Sequence, residues 1–97
     1  MIKKTIEYID FDGNKRKEDF LFHLMESEIA EMELSTAGGF TESIQRIIQS
    51  QDVPEIIKQF KEIILKSYGV KSPDGKRFIK NDALREEFSQ TNAYSKL

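Results

Sequence analysis

The apolar residues of this chain change their spacing once, near residue 24, and no other feature restricts its fold as much. Up to that point large apolar side chains stand at even positions, Ile2, Ile6 and Tyr8 and then Phe20, Phe22 and Leu24. A period of two is that of a half-buried strand. Between the two runs lies Asp10-Phe11-Asp12-Gly13-Asn14, whose residue types tolerate the tight geometry of a turn. The segment predicts a β-hairpin of strands 2–9 and 16–24. Two strands alone are marginal in water, so the face carrying Ile6, Tyr8, Phe20 and Phe22 must lie on helices or on another chain.

Beyond residue 24 the spacing is helical. Met25, Ile29 and Met32 mark a first helix, with Ser27 as its candidate cap and Glu26, Glu28 and Glu31 toward the positive end of its dipole. Gly38-Gly39 breaks the chain, and Phe40, Ile44, Ile47 and Ile48 form the stripe of a second helix. Asp52-Val53-Pro54-Glu55 supplies a capping aspartate, a proline where its missing N–H is harmless, and a first-turn glutamate. The third helix, 53–68, carries Ile56, Ile57, Phe60, Ile63, Ile64 and Tyr68 on one face and is expected to stop at Gly69. Ser72-Pro73-Asp74-Gly75 predicts a turn and a short second hairpin through Phe78 and Ile79. Asn81 or Asp82 caps a short helix with Leu84 and Phe88, and Thr91 caps another with Tyr94 and Leu97. The fold class is α+β, mainly α: an N-terminal β-hairpin packed on a small bundle of three to five helices. The organisation read from this pattern is one domain over 1–97, with a hairpin at 1–24, helices at 25–69, a turn or short hairpin at 70–80 and C-terminal helices at 81–97.

A chain of 97 residues removes only about 60 to 70% of its unfolded surface from water, so its core is small. It has no cysteine, which excludes disulfides, thiolate metal sites and cysteine nucleophiles and fits a reducing compartment. No apolar run approaches the ~20 residues of a membrane span, and Met1-Ile2-Lys3-Lys4 does not open a signal-peptide core. With 15 basic and 17 acidic residues the net charge is -2, so no global field points to nucleic acid. Residues 1–35 hold nine acids against five bases, and 71–97 four acids against six bases, a mild polarity that hints at partner orientation.

Candidate chemistry is sparse. His23 is the only histidine, and without convergent partners it reads as a polar strand residue. Asp10, Asp12 and Asn14 resemble the start of a calcium loop, but Lys15 stands where the template needs glycine and Leu21 where it needs glutamate. Gly38-Gly39 lacks the spacing of a phosphate-cradling loop. Glu28 with Glu31 or Glu33 reads as an exposed acidic face, and no nucleophile motif surrounds any serine or threonine. No cofactor or metal site is expected. The cluster Lys71, Lys76, Arg77, Lys80 and Arg85 around Phe78 supports an alternative, a small nucleic-acid-binding or regulatory domain using 71–85, although Asp74, Asp82, Glu86 and Glu87 dilute it.

Ordered blocks toward the C-terminal end carry more information. Ser67-Tyr68-Gly69 is followed by Asp74-Gly75-Lys76-Arg77-Phe78-Ile79-Lys80 and then by Phe88-Ser89-Gln90-Thr91-Asn92-Ala93-Tyr94; upstream stand Glu31-Met32-Glu33-Leu34-Ser35, Gly38-Gly39 and Ile63-Ile64-Leu65-Lys66. In this order, over nearly the whole chain, they resemble the tail assembly chaperones of long-tailed phages and prophages of Gram-positive bacteria. Two positions depart from that pattern. Similar proteins carry a Ser or Thr where Met25 stands, and they continue past the Thr-x-Ala-Tyr block with a further apolar helix, so the chain reads as shortened at Leu97.

The resemblance implies a non-enzymatic protein that binds and solubilises the tape measure protein in the host bacterial cytoplasm and is absent from the mature virion. It also implies recruitment of the major tail tube protein through a frameshifted longer form, and self-association, since coating a long client favours repeated copies. Neither nucleic acid nor membrane is an expected partner. Candidate protein-binding residues are the large apolar side chains of the amphipathic segments, Phe40, Ile44, Ile48, Phe60, Tyr68, Phe78, Phe88 and Tyr94, each of which must serve either the core or a partner.

Overall fold

The computed structural model describes residues 1–97. It is α+β, with five helices and a four-stranded antiparallel sheet, and it divides into two compact units, Met1–His23 with Leu65–Leu97, and Leu24–Ile64.

The first unit holds the sheet. Strands β1 (Ile2–Ile9) and β2 (Lys15–Phe22) form the expected hairpin, with Ile9 opposite Lys15 and Ile2 opposite Phe22. Its turn is organised by Asp10: one carboxylate oxygen accepts from the N–H groups of Asp12 (3.0 Å) and Asn14 (2.9 Å), and the other accepts from Arg16 Nε (2.6 Å). The residues that mimicked a calcium loop thus satisfy a turn's own backbone donors. β2 pairs with β3 (Tyr68–Lys71), and β3 with the two-residue β4 (Phe78–Ile79), giving the order β1-β2-β3-β4.

The second short hairpin is therefore present. Ser72 Oγ donates to Asp74 (2.5 Å) and accepts from Arg77 N–H (3.0 Å), while Gly75 takes φ of 74°. Helix α4 (Asp82–Ser89) is capped by the Asn81 side chain, which accepts from Leu84 N–H (2.8 Å). Thr91 caps the single turn α5 (Asn92–Ser95) by accepting from Tyr94 N–H (3.2 Å).

The second unit is helical: α1 (Glu26–Ser35), α2 (Phe40–Ser50) and residues 53–64 of α3 (Val53–Ser67). α1 begins one residue before the expected Ser27 cap. Met25 occupies the N-cap, and its backbone N–H is satisfied by the Glu28 carboxylate (3.0 Å), which is the glutamate half of a capping box. Gly38 and Gly39 take φ of 78° and 89°, a region open to glycine. Asp52 caps α3 by accepting from Glu55 N–H (3.3 Å).

A further boundary differs from the sequence expectation. Tyr68 does not close the third helix but opens β3, and Gly69 is a strand residue. The Ser67 carbonyl, in place of propagating a helix, accepts from His23 N–H (2.8 Å), which starts the ladder to β2. Gly69 is glycine because of space: a Cβ there would lie 2.7 Å from the Ile79 carbonyl oxygen and 2.7 Å from the Phe78 ring.

Candidate functional site

The eight candidate residues fall into two groups of different character. Phe40, Ile44, Ile48 and Phe60 belong to the helical unit; Tyr68, Phe78, Phe88 and Tyr94 belong to the sheet unit.

In the sheet unit, Phe88 is 2% exposed and is the hub of a ring cluster. Tyr68 stacks on it at 4.3 Å and 13°, Tyr94 meets it edge-on at 5.6 Å, and Phe20 and Phe22 approach at 5.2 and 5.9 Å. Such pairs each add about 0.5 to 1.5 kcal/mol beyond the area they bury. Burial, and then the nearby Glu87 and Glu18 carboxylates, push the Tyr68 hydroxyl above its ordinary range. Phe78 stands apart from the cluster, edge-on to His23 at 6.2 Å.

Two members of the basic segment are committed to structure beside it. Lys80 Nζ donates to the His23 carbonyl (3.0 Å), and Arg85 Nε donates to the Leu65 carbonyl (3.1 Å) while its Nη1 pairs with Asp82 (3.1 Å). Those cations finish the ends of β2 and α3 instead of forming an open phosphate track.

The helical unit is built differently. Its only buried apolar side chain is Met32. The stripe Phe40, Ile44, Ile47 and Ile48 on α2 and the stripe Ile56, Phe60 and Ile63 on α3 leave a groove of about 110 Å³ between them. Its lining is Ile44, Ile47, Ile48, Ile56, Phe60 and Ile63, with Gln59 the one polar member. Gln59 is turned to Glu55, donating to its carboxylate (3.2 Å). Ile48 is 54% and Phe60 58% exposed at the rim. Full burial of such a side chain is worth about 1.5 to 3 kcal/mol, so this surface holds unspent binding energy.

The walls of the groove are set by local chemistry. Glu33 reaches from α1 to the start of α2, where its carboxylate accepts from Thr41 N–H (3.0 Å) and Thr41 Oγ1 (3.2 Å). This side chain fills the space beside Gly39, where a Cβ would lie 2.3 Å from Glu33 Oε1. At the other end, Gln51 adopts a left-handed conformation with φ of 58°, and its N–H closes α2 on the Ile48 carbonyl (3.2 Å). Chain reversal there brings the two stripes alongside each other.

Sequence periodicity identified both stripes but singled out only Ile44, Ile48 and Phe60 among the groove residues. Ile47, Ile56 and Ile63 carry the same i, i+3, i+4 signal and line it equally. No helix is long and apolar enough to cross a membrane.

A family model described as phage tail assembly chaperone matches residues 1–97. Comparison with curated proteins and with solved structures yields no match.

Proposed function

We propose, from the premise that this chain belongs to the non-enzymatic phage tail assembly chaperone family, that it shields the tape measure protein while a phage tail is assembled. The client surface in this reading is the α2 and α3 stripe, centred on Ile44, Ile48 and Phe60. The observation that carries it is the contrast within the helical unit between a single buried apolar residue and an apolar groove with Ile48 and Phe60 more than half exposed on its rim. An amphipathic helix of a client laid into such a groove covers the rim residues through its own i, i+3 and i+4 positions. The aggregation-prone helical stretches of a long client offer that pattern repeatedly, so several copies bind along it.

Release follows when tail tube subunits compete, recruited by a frameshifted longer form of the chain. The work is done in the host bacterial cytoplasm, and the protein does not remain in the virion. The test is coexpression with a fragment of the cognate tape measure protein: the fragment stays soluble and the two copurify. A fragment that remains insoluble, with no complex at any of several salt concentrations, contradicts the reading.

A further inference from the structure

The sheet has one long free edge. β1 is its outermost strand and runs eight residues, whereas the opposite edge, β4, has two. The hydrogen-bond phase of that edge follows from the turn. Asp10 N–H donates across the hairpin to Asn14 O, so even-numbered residues of β1 direct their backbone groups to β2 and odd-numbered residues direct theirs outward. The same alternation makes His23 N–H donate to Ser67 O on the far side of β2. Of the outward groups on β1, the Ile9 carbonyl is engaged by Asn92 Nδ2 (2.9 Å). Those of Lys3, Thr5 and Glu7 have no partner within the chain. The open stretch is thus centred on Thr5.

We infer that this edge pairs with the same edge of a second copy, antiparallel about a twofold axis at Thr5, joining two four-stranded sheets into one. The inference gives a surface to the self-association in the proposed function, but its geometry stands without the tape measure reading. Charge selects the register. With Thr5 opposite Thr5, the outward-pointing residues face one another and Lys3 of each copy stands opposite Glu7 of the other.

The neighbouring registers of the same phase lose that match. One adjacent register sets Lys3 opposite Thr5 and Glu7 opposite Met1, and the other sets Thr5 opposite Glu7 and Lys3 opposite Ile9, whose carbonyl Asn92 occupies, so neither pairs Lys3 with Glu7. Shifts that centre the axis on Lys3 or on Glu7 put like charges face to face. Within one chain, Glu7 pairs with Lys17 at 3.8 Å and Lys3 with Asp19 at 4.0 Å, so the second copy extends an alternating row of charge already laid across the hairpin. On the other face the register sets Ile2, 68% exposed, opposite Tyr8. Opposite charges and apolar pairs directly across strands are stabilising, and like charges are not. The competing role for edge lysines is to keep sheets apart, and it makes the contrary forecast of a monomer.

The experiment is sedimentation equilibrium of the full chain without any client, for wild type, Lys3→Glu, Glu7→Lys and an equimolar mixture of the two variants, with circular dichroism to verify folding. Wild type is expected at twice the 11.3 kDa chain mass. Each single variant should dimerise about tenfold or more weakly, because both symmetric pairs become repulsive. The mixture should recover dimer, since the all-acidic edge of one then meets the all-basic edge of the other. Thr5→Pro, which removes an outward N–H and leaves the β2 ladder intact, should be monomeric. A monomeric wild type, single variants that associate as wild type does, or a mixture that fails to recover dimer would each overturn the inference. Because no client is present, none of these results bears on tape measure binding.

Discussion

The sheet unit gathers Phe20, Phe22, Tyr68 and Tyr94 around a Phe88 that is 2% exposed, whereas the helical unit buries Met32 alone and leaves Phe60 58% exposed. Both are rich in large apolar side chains. What differs is the partner available to them. A sheet face covered by α4 and α5 closes on itself, and its rings find one another; helices α2 and α3 present isoleucines to an open groove. Apolar surface in the first unit is buried within the fold, whereas in the second it stays open, and the proposed function assigns that open surface to the client.

Truncating the hub and the rim separates these roles most sharply. Phe88→Ala removes the ring that four others touch, and its expected cost is about 3 to 5 kcal/mol in denaturant unfolding. Phe60→Ser removes a ring of similar size from the groove rim, and its expected cost is within about 1 kcal/mol. Equal losses would mean that the groove is as much a part of the core as the ring cluster.

A smaller effect tests the groove wall. Gly39 combines positive φ with a space filled by Glu33, so Gly39→Ala should destabilise by about 1 kcal/mol or somewhat more. Its thermal unfolding should show a lower Tm, with the sheet unit's near-ultraviolet tyrosine signal unchanged before the transition.

The smallest expected effect concerns the hairpin turn and is read by pH. The hydrogen bond from Arg16, then the N–H groups of Asn14 and Asp12, hold the Asp10 carboxyl below its ordinary range. A carboxyl with a depressed folded value contributes stability above its unfolded value, near pH 4, and loses it as pH falls through the lower folded value. The stability difference between wild type and Asp10→Ala should therefore be present at neutral pH and shrink below about pH 4. A difference that grows with acid would contradict the turn's assigned chemistry.

The sequence made some of this contrast legible and hid the rest for physical reasons. The hairpin, both stripes, the Asp52 cap and the Ser72 to Gly75 turn are local, and period and turn chemistry reveal them directly. The change from helix to strand at Tyr68 is not local. It is imposed by His23, whose N–H captures the Ser67 carbonyl, and nothing in the spacing of Ile63, Ile64 and Tyr68 announces a partner so far back in the chain. The start of α1 is set locally but by a choice that residue preference does not reveal: Ser27 is the better capping residue, yet the Glu28 carboxylate satisfies the N–H of Met25, three residues before it.

The candidate site divides in the same way. Periodicity shows that Phe60 and Phe88 each lie on an apolar face but not what covers that face, so Ile48, Phe60, Tyr68 and Phe88 are equivalent in the sequence. Ring stacking between Tyr68 and Phe88 and the open groove beside Phe60 separate them only once the chain is folded. The free edge of β1 was equally invisible, because a hairpin pattern does not tell which of its strands will gain a further neighbour.

The central claim is that the helical unit's exposed stripe binds the client while the ring cluster holds the fold. Its most direct test is to coexpress the tape measure fragment with wild type and with an Ile48→Asp, Phe60→Asp double variant, measuring soluble fragment and the variant's own unfolding free energy side by side. The account predicts a variant that unfolds within about 1 kcal/mol of wild type and leaves the fragment insoluble. A variant of unchanged stability that still keeps the fragment soluble would contradict it.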